Sequence, residues 1–177
     1  NTPANRKQVL YEVTNNDHQF FGFGINPGLL RYQIADVVNN HVFYAGVNST
    51  TSNELMRIQG NGNVGIGTAT PHAPLQFSNA QANRKIVLAE NADNDHSYYG
   101  FGINAGMIRY QVGALGGNHV FYAAVNGFSS NELMRIQGNG NVGIGTGTPN
   151  AALQLGNVSS NRRIVMYENA NNDHEFY

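Results

Sequence analysis

The sequence predicts an all-β protein built from tandem repeats of 78 residues. Residues 5–82 and 83–160 align without a gap and agree at 49 of 78 positions, and repetition at a fixed period is typical of a modular array. Short apolar, aromatic and β-branched runs alternate with Asn, Gly, Pro and Asp roughly every ten residues, as strands joined by turns do. We expect β-repeats at 5–82 and 83–160 and a partial third repeat at 161–177, within an elongated, fibre-like assembly.

The first three predicted strands of a repeat are 8–12, 19–25 and 29–34. The first contains β-branched and aromatic residues, the second interleaves aromatic residues with glycines, and the third ends in a bulky alternating run. Turn residues separate them at 15–17 and 26–28, where Asn and Gly tolerate positive φ. These signals predict an antiparallel start to each repeat.

Four further strands complete the predicted repeat, at 41–47, 55–59, 64–67 and 75–77. In the third of these, branched apolar residues alternate with glycines, so one face carries side chains and the other carries none. We expect Val64 and Ile66, with their copies Val142 and Ile144, to be buried in a core. We also expect the backbone of another chain to approach the glycine face closely.

Composition narrows the classes of partner. Charged residues make up 12% of the chain, with a net charge of −1, against about 25% charged residues in typical soluble domains. The eight arginines are spread along the repeats, so no basic patch predicts binding to nucleic acid or to an anionic membrane. There is no cysteine and no apolar run near the ~20 residues of a membrane span. We expect no membrane insertion, no metal site and no cofactor.

A unit of 78 residues would bury only about 60% of its unfolded surface on its own. We therefore expect each unit to rely on neighbouring units or on other chains. The partial third repeat carries a predicted strand at 163–168 without the other strands of a repeat. We expect it to complete a unit in the next molecule of a head-to-tail filament, since heterologous contacts of that kind propagate.

One segment of each repeat resembles a known family. Residues 55–77 read LMRIQGNGNVGIGTATPHAPLQF, and residues 133–155 repeat the pattern. This resembles the shaft repeats of bacteriophage tail fibres and related surface fibres, in which Met-Arg-Ile precedes Gly-Asn-Val-Gly-Ile-Gly-Thr and a proline. The resemblance implies elongated, usually trimeric fibres with adhesive or receptor-binding roles. We accordingly expect a homo-oligomer, as a trimer or a head-to-tail filament, located outside the cell or on a virion.

Two motifs invite an enzymatic interpretation. Gly60, Gly62 and Gly65 match the spacing of a dinucleotide-binding loop, but Pro71 follows and no helical pattern does, so we interpret them as turn glycines. Carboxylates recur in both repeats and could serve a fibre-borne polysaccharide depolymerase, which stays open as an alternative. We expect them instead to pair with arginines, and we expect no catalytic residue. The carboxylates are Glu12, Asp17 and Glu54, repeated as Glu90, Asp95 and Glu132.

A second alternative is a multivalent glycan-binding adhesin. Adjacent aromatic residues recur at Phe20–Phe21 and Phe43–Tyr44 and at the matching positions of the second repeat. On a strand, one member of each pair should face the core and the other should face outward. The candidate glycan contacts are Phe21, Tyr99, Tyr44, Tyr122, Asp17 and Asp95, and cell-surface glycans are the candidate partner. We expect the histidines to be structural, with His41 and His119 capping turns or sitting among hydrogen bonds.

Overall fold

A computed structural model of the chain describes residues 4–156, which form two compact units that meet between Ala80 and Gln81 along the chain. The described residues are all-β, with fourteen strands and no helix. Within that part of the chain, no helix is long and apolar enough to cross a membrane. The predicted partial third repeat, 161–177, and its strand at 163–168 lie outside the described residues.

The strands of the first unit lie where the sequence predicts them, with ends that shift by a few residues. The largest shift is at the first strand, which begins at Ala4. Each strand of the second unit has the bounds of its counterpart plus 78. The first unit contains β1 (Ala4–Glu12), β2 (Phe20–Asn26), β3 (Leu29–Gln33), β4 (Asn40–Gly46), β5 (Ser52–Gln59), β6 (Val64–Ile66) and β7 (Leu75–Phe77). The second contains β8 (Ala82–Glu90), β9 (Tyr98–Asn104), β10 (Met107–Gln111), β11 (Asn118–Ala124), β12 (Ser130–Gln137), β13 (Val142–Ile144) and β14 (Leu153–Leu155).

Each unit holds a three-stranded and a four-stranded sheet. In the first unit these are β1–β2–β3 and β4–β5–β6–β7, so strands pair in the order in which they occur along the chain. All pairs are antiparallel except β6 with β7. The second unit repeats this arrangement with β8–β9–β10 and β11–β12–β13–β14. Hairpin turns therefore provide most of the connections.

The glycines of β2 make room for the backbone of β1. Ala4 pairs with Ile25 and Gln8 pairs with Phe23, so β1 uses four residues where β2 uses two. The extra residues arch over β2, and a Cβ atom added to Gly24 would collide with the carbonyl oxygen of Asn5. The aromatic–glycine alternation of β2 thus serves a bulged strand pair within one chain.

The buried core of a single chain is small. Apart from glycine and proline, the buried apolar residues are Phe20, Ala35 and Tyr98, whereas thirty-three large apolar side chains among the described residues are exposed. Extensive contacts between strands join only neighbours in a sheet. Within the described residues, therefore, no second layer of strands packs extensively on the broad faces of the sheets.

The predicted burial of Ile66 and Ile144 is wrong for the single chain, because their side chains are 40% and 45% exposed. Val64 and Val142 are half-buried. Gly65 is the buried residue of β6, and its open side is covered by Thr68 and Pro71 of the same chain, not by another chain. The connection between β6 and β7 folds over the glycine face and leaves the apolar face uncovered.

Candidate interaction surface

The four-stranded sheet has one apolar face. Residues paired across a ladder point to the same side of a sheet, and neighbours along a strand point to opposite sides. The registers therefore place two rows of side chains on one side. One row is His41, Ile58, Val64 and Leu75, and the other is Phe43, Met56, Ile66 and Phe77. The second unit repeats both rows with His119, Ile136, Val142 and Leu153, and with Phe121, Met134, Ile144 and Leu155.

The other side of this sheet is polar. The registers place Arg57, Gly65 and Gln76 there, together with the pair formed by Tyr44 and Glu54. Arg57 donates two hydrogen bonds of 2.6 Å to the carboxylate of Glu54. Arg135 and Glu132 form the same ion pair in the second unit. The sheet is therefore amphipathic, with charged groups confined to one side.

A β-bulge makes this ion pair possible. Residues three apart in a regular strand point to opposite sides. Phe43 pairs with Met56 while Tyr44 pairs with Glu54, so Leu55 is an extra residue in β5 and reverses the alternation. Glu54 and Arg57 consequently share a face. The hydrogen bonds from Arg57 hold the pKa of the Glu54 carboxyl below its ordinary value.

The three-stranded sheet extends the apolar side. Its registers place Phe21, Phe23 and Ile25 of β2 on one face with Leu30 and Tyr32 of β3. The rings of Phe23 and Tyr32 stack with centroids 5.1 Å apart, and Tyr32 lies 4.4 Å from the ring of His41 in the other sheet. We call Phe23, Tyr32 and His41 the aromatic ladder, and it joins the apolar sides of the two sheets. The matching rings in the second unit are Phe101, Tyr110 and His119.

We call this combined surface of β2–β7, and its copy in the second unit, the apolar face. None of the residues that the registers place on it is Asp, Glu, Lys or Arg. Many of its side chains are exposed, among them Phe23, Tyr32, Phe43, Ile66 and Leu75. A continuous, uncharged, exposed apolar surface of this kind is typical of a protein–protein contact.

The six candidate glycan contacts do not lie together in one place. Phe21 and Tyr99 belong to the apolar face, and Phe21 contacts Tyr11 with ring centroids 6.1 Å apart. Tyr44 and Tyr122 lie on the polar side of the four-stranded sheets, each opposite a glutamate and each 61% exposed. The two aspartates lie in the loops that follow β1 and β8, next to arginines.

Arginines bind the carboxylates that the sequence offers, as expected. Arg6 contacts Glu12 and Asp17 at 2.9 Å each and donates a hydrogen bond of 3.1 Å to Asn15. In the second unit Arg84 contacts Glu90, Asp93 and Asp95, at 2.9, 3.0 and 3.2 Å. These contacts tie the loop after β1 or β8 back onto its strand. In each unit, the carboxylates surround the guanidinium group of one arginine, which is an arrangement that stabilises the loop.

The two histidines at the starts of β4 and β11 differ from the expectation. His41 and His119 pack on tyrosine rings, and the Nδ1 atom of each is buried without a hydrogen-bond partner. Burial lowers the pKa of the His41 imidazole below its ordinary value. The expected hydrogen bonds are therefore missing at Nδ1 of both rings, because the strand register turns these rings onto the apolar face.

The aromatic pairs behave in two ways. Phe20 and Tyr98 are fully buried while Phe21 and Tyr99 are half-buried, as expected for one inward and one outward member. Phe43 and Tyr44 are both exposed, at 51% and 61%. The expected burial of one of these two fails because neither side of the four-stranded sheet is covered at that end.

A cavity of about 370 Å³ lies in each unit, between the β3–β4 loop and the β5–β6 turn, or their counterparts. In the first unit its lining includes His18, Gln33 and Gly60. The side chain of Gln33 already donates hydrogen bonds to the carbonyls of His18 and Ile34, at 3.1 and 2.7 Å. Across residues 4–156, no cluster of His, Asp or Glu is arranged to hold a metal ion.

Sequence reasoning missed the apolar face as a single surface. Part of its signal is present in β4, where His41, Phe43 and Ala45 alternate with Val42 and Tyr44. The bulge at Leu55 interrupts the alternation of β5, so the continuation of that face cannot be followed by counting alternate residues.

The chain matches no protein-family model and no curated protein sequence.

Proposed function

We propose that the protein is a structural component of a fibre or filament, outside the cell or on a virion, in which tandem repeats from several copies pack through their apolar faces. The observation that carries the proposal is the charge-free apolar face of β2–β7, repeated in the second unit and left exposed by a single chain. Burying apolar surface is the main favourable term in association. The polar sides of the sheets then face solvent and present the same groups many times.

A second copy of the chain is the partner that this face fits best. Both units carry the same rows of residues at the same register positions. Copies aligned along their repeats therefore bring matching rows into contact at each unit, which adds up along the chain. The resemblance of residues 55–77 and 133–155 to fibre shaft repeats favours a trimer or a head-to-tail filament.

The test compares two neighbouring aromatic residues of similar exposure. Phe43 and Phe121 lie on the apolar face, and Tyr44 and Tyr122 lie on the polar side. We expect Phe43→Gln with Phe121→Gln to weaken association at least tenfold, because each buried Phe contributes about 1.5–3 kcal/mol. We expect Tyr44→Gln with Tyr122→Gln to leave association unchanged. Sedimentation velocity over a range of protein concentrations measures both.

Because all four side chains are exposed in the single chain, neither double variant should prevent the units from folding, and circular dichroism checks that condition. Equal association of the two double variants would contradict assembly through the apolar face. A wild-type protein that sediments as a monomer at every concentration would contradict self-association altogether.

Glycan binding is a second candidate function, and it belongs to the polar side. Tyr44 is exposed beside the ion pair of Glu54 and Arg57, and Tyr122 repeats the arrangement. An exposed ring next to charged hydrogen-bonding groups can stack on a sugar and bind its hydroxyls, weakly at each unit but many times along an assembly. We expect Tyr44→Gln with Tyr122→Gln to abolish retention on immobilised neutral and acidic polysaccharides. Unchanged retention, or none by the wild type, would contradict this role.

A depolymerase is less favoured, because the recurring carboxylates of both units contact arginines.

A further inference from the structure

We propose that His41 makes the packing between copies dependent on pH, so that assembly is favoured near neutral pH and weakened by acid. This inference rests on the proposed function, because it assigns a regulatory role to a residue of the apolar face. Its geometric basis is the position of this imidazole at the junction of the two sheets in the first unit.

Each imidazole is placed where a positive charge has no compensation. His41 pairs in register with Ile58, which is followed across the sheet by Val64 and Leu75. Its ring lies against Tyr32, and its Nδ1 atom is buried without a hydrogen-bond partner. His119 has the same surroundings, with Ile136 in register and Tyr110 at 4.5 Å. His119 is therefore the geometric counterpart of His41 in the second unit.

The arginines of the neighbouring strands in the first unit lie on the opposite side of their sheets from the apolar face. On β3, Arg31 occupies the opposite side from Tyr32 and donates hydrogen bonds to Asn26 and Gln33. On β5, Arg57 lies on the polar side and binds Glu54. The β3–β4 loop carries Asp36 in the first unit and Ala114 in the second.

A second histidine lies near the ladder in the second unit, where His96 lines the same cavity as His119 and Tyr110. It extends from the loop before β9, and its counterpart in the first unit is His18. His18 and His96 therefore provide a matched control, since they lie close in the fold but outside the rows of the apolar face.

The direction of the pH effect depends on whether the free chain or the assembled chain disfavours the charged imidazole more strongly. Burial in the single chain already lowers the pKa of His41 from the ordinary value of 6.5, and a covering apolar partner removes more water from the ring. The assembled state therefore favours the neutral imidazole. Assembly is fully favoured above the pKa of the ring in the free chain. It weakens by about tenfold per chain for each pH unit below that pKa, until the pKa of the assembled state is reached.

The experiment measures association by sedimentation equilibrium between pH 8 and pH 5. We expect the wild type to lose association as the pH falls, with about one proton taken up per dissociating chain, or about tenfold weakening per chain for each pH unit. We expect His41→Phe with His119→Phe to keep an aromatic ring on the ladder and to lose most of this dependence. His41→Gln with His119→Gln serves as a second pair should the phenylalanines alter packing. His18→Gln with His96→Gln should retain the wild-type dependence.

The outcomes separate this inference from the proposed function. An assembled wild type whose association does not change with pH overturns the pH dependence and leaves assembly standing. So does a wild-type dependence that persists in both His41/His119 double variants. A wild type that stays monomeric at pH 8 overturns the proposed assembly and its regulation together.

Discussion

Gly65 and Gly143 are buried because the chain immediately after them folds back over their open side. A Cβ atom on Gly65 would collide with the carbonyl oxygen of Thr68 and would lie 3.3 Å from two carbons of the Pro71 ring. The backbone oxygen cannot move without disturbing the connection between β6 and β7. The identical segment in the second unit produces the same crowding at Gly143.

We expect Gly65→Ala to destabilise the folded chain by about 1–3 kcal/mol, because over-packing forces the backbone to shift. Urea unfolding followed by circular dichroism measures the loss. Gly46→Ala is the control, since a Cβ atom there meets nothing within 4 Å and the second unit has Ala124 at that position. A loss for Gly65→Ala no larger than that for Gly46→Ala would contradict the crowding.

At the buried aromatic position, the burial of a ring could be predicted from the sequence, but the hydrogen-bond partner of Tyr98 could not. Adjacent aromatic residues predict one buried ring, and Phe20 and Tyr98 are fully buried. The hydroxyl of Tyr98 donates a hydrogen bond to the carbonyl of Asn83. That carbonyl is available because the bulged β8 arches over the glycines of β9, which is a backbone irregularity without a sequence signal of its own.

At the scale of the element, the bulge in β5 sets a second dependence on pH. Hydrogen bonds from Arg57 lower the pKa of the Glu54 carboxyl from its ordinary value of 4.5. The ionised form is therefore favoured by folding. Its contribution to stability is present above the pKa of the unfolded chain and is lost as the pH falls through the lower pKa of the folded chain.

We expect Glu54→Gln to cost about 1 kcal/mol at pH 7, the upper end for an ion pair that water still reaches. The difference from wild type should shrink steadily below pH 4.5 and vanish in strong acid. Thermal unfolding at several pH values measures it. Asp36→Ala, which places the residue of position 114 at position 36, is the control. A deficit of the same size at pH 3 and pH 7 would show that the carboxylate charge is not responsible.

Most strands were predictable because each consists largely of apolar or aromatic residues and lies next to a segment rich in Asn, Gly or Pro. Val64–Ile66 and Leu75–Phe77 begin at the predicted residues although each has only three residues. The bulges were not predictable, since an extra residue such as Leu55 is apolar like the Met56 that follows it and fits either side of a strand. One such residue reverses the side of the sheet to which every preceding side chain of β5 points.

At the scale of the whole molecule, alternation predicts which residues share a side but not what covers that side. Ile66 has the sequence pattern of a buried residue and is exposed in the single chain. An alternating apolar pattern indicates burial in the functional state of the protein. The pattern is the same whether the apolar residues are buried by a core within the chain or by a partner outside it. The assembly that would bury Ile66, Phe43 and Leu75 is therefore a proposal and not a property of one chain.

The pairing of strands in chain order has a consequence for synthesis. Within the described residues, every strand pairs with strands adjacent to it in sequence. Such a topology has low contact order and closes only short loops, so it folds rapidly. Each sheet can form once its last strand has left the ribosome, with no need to wait for distant segments. Under the proposed assembly, nascent chains would carry finished sheets with exposed apolar faces before release, and neighbouring ribosomes on one message would supply the second copy.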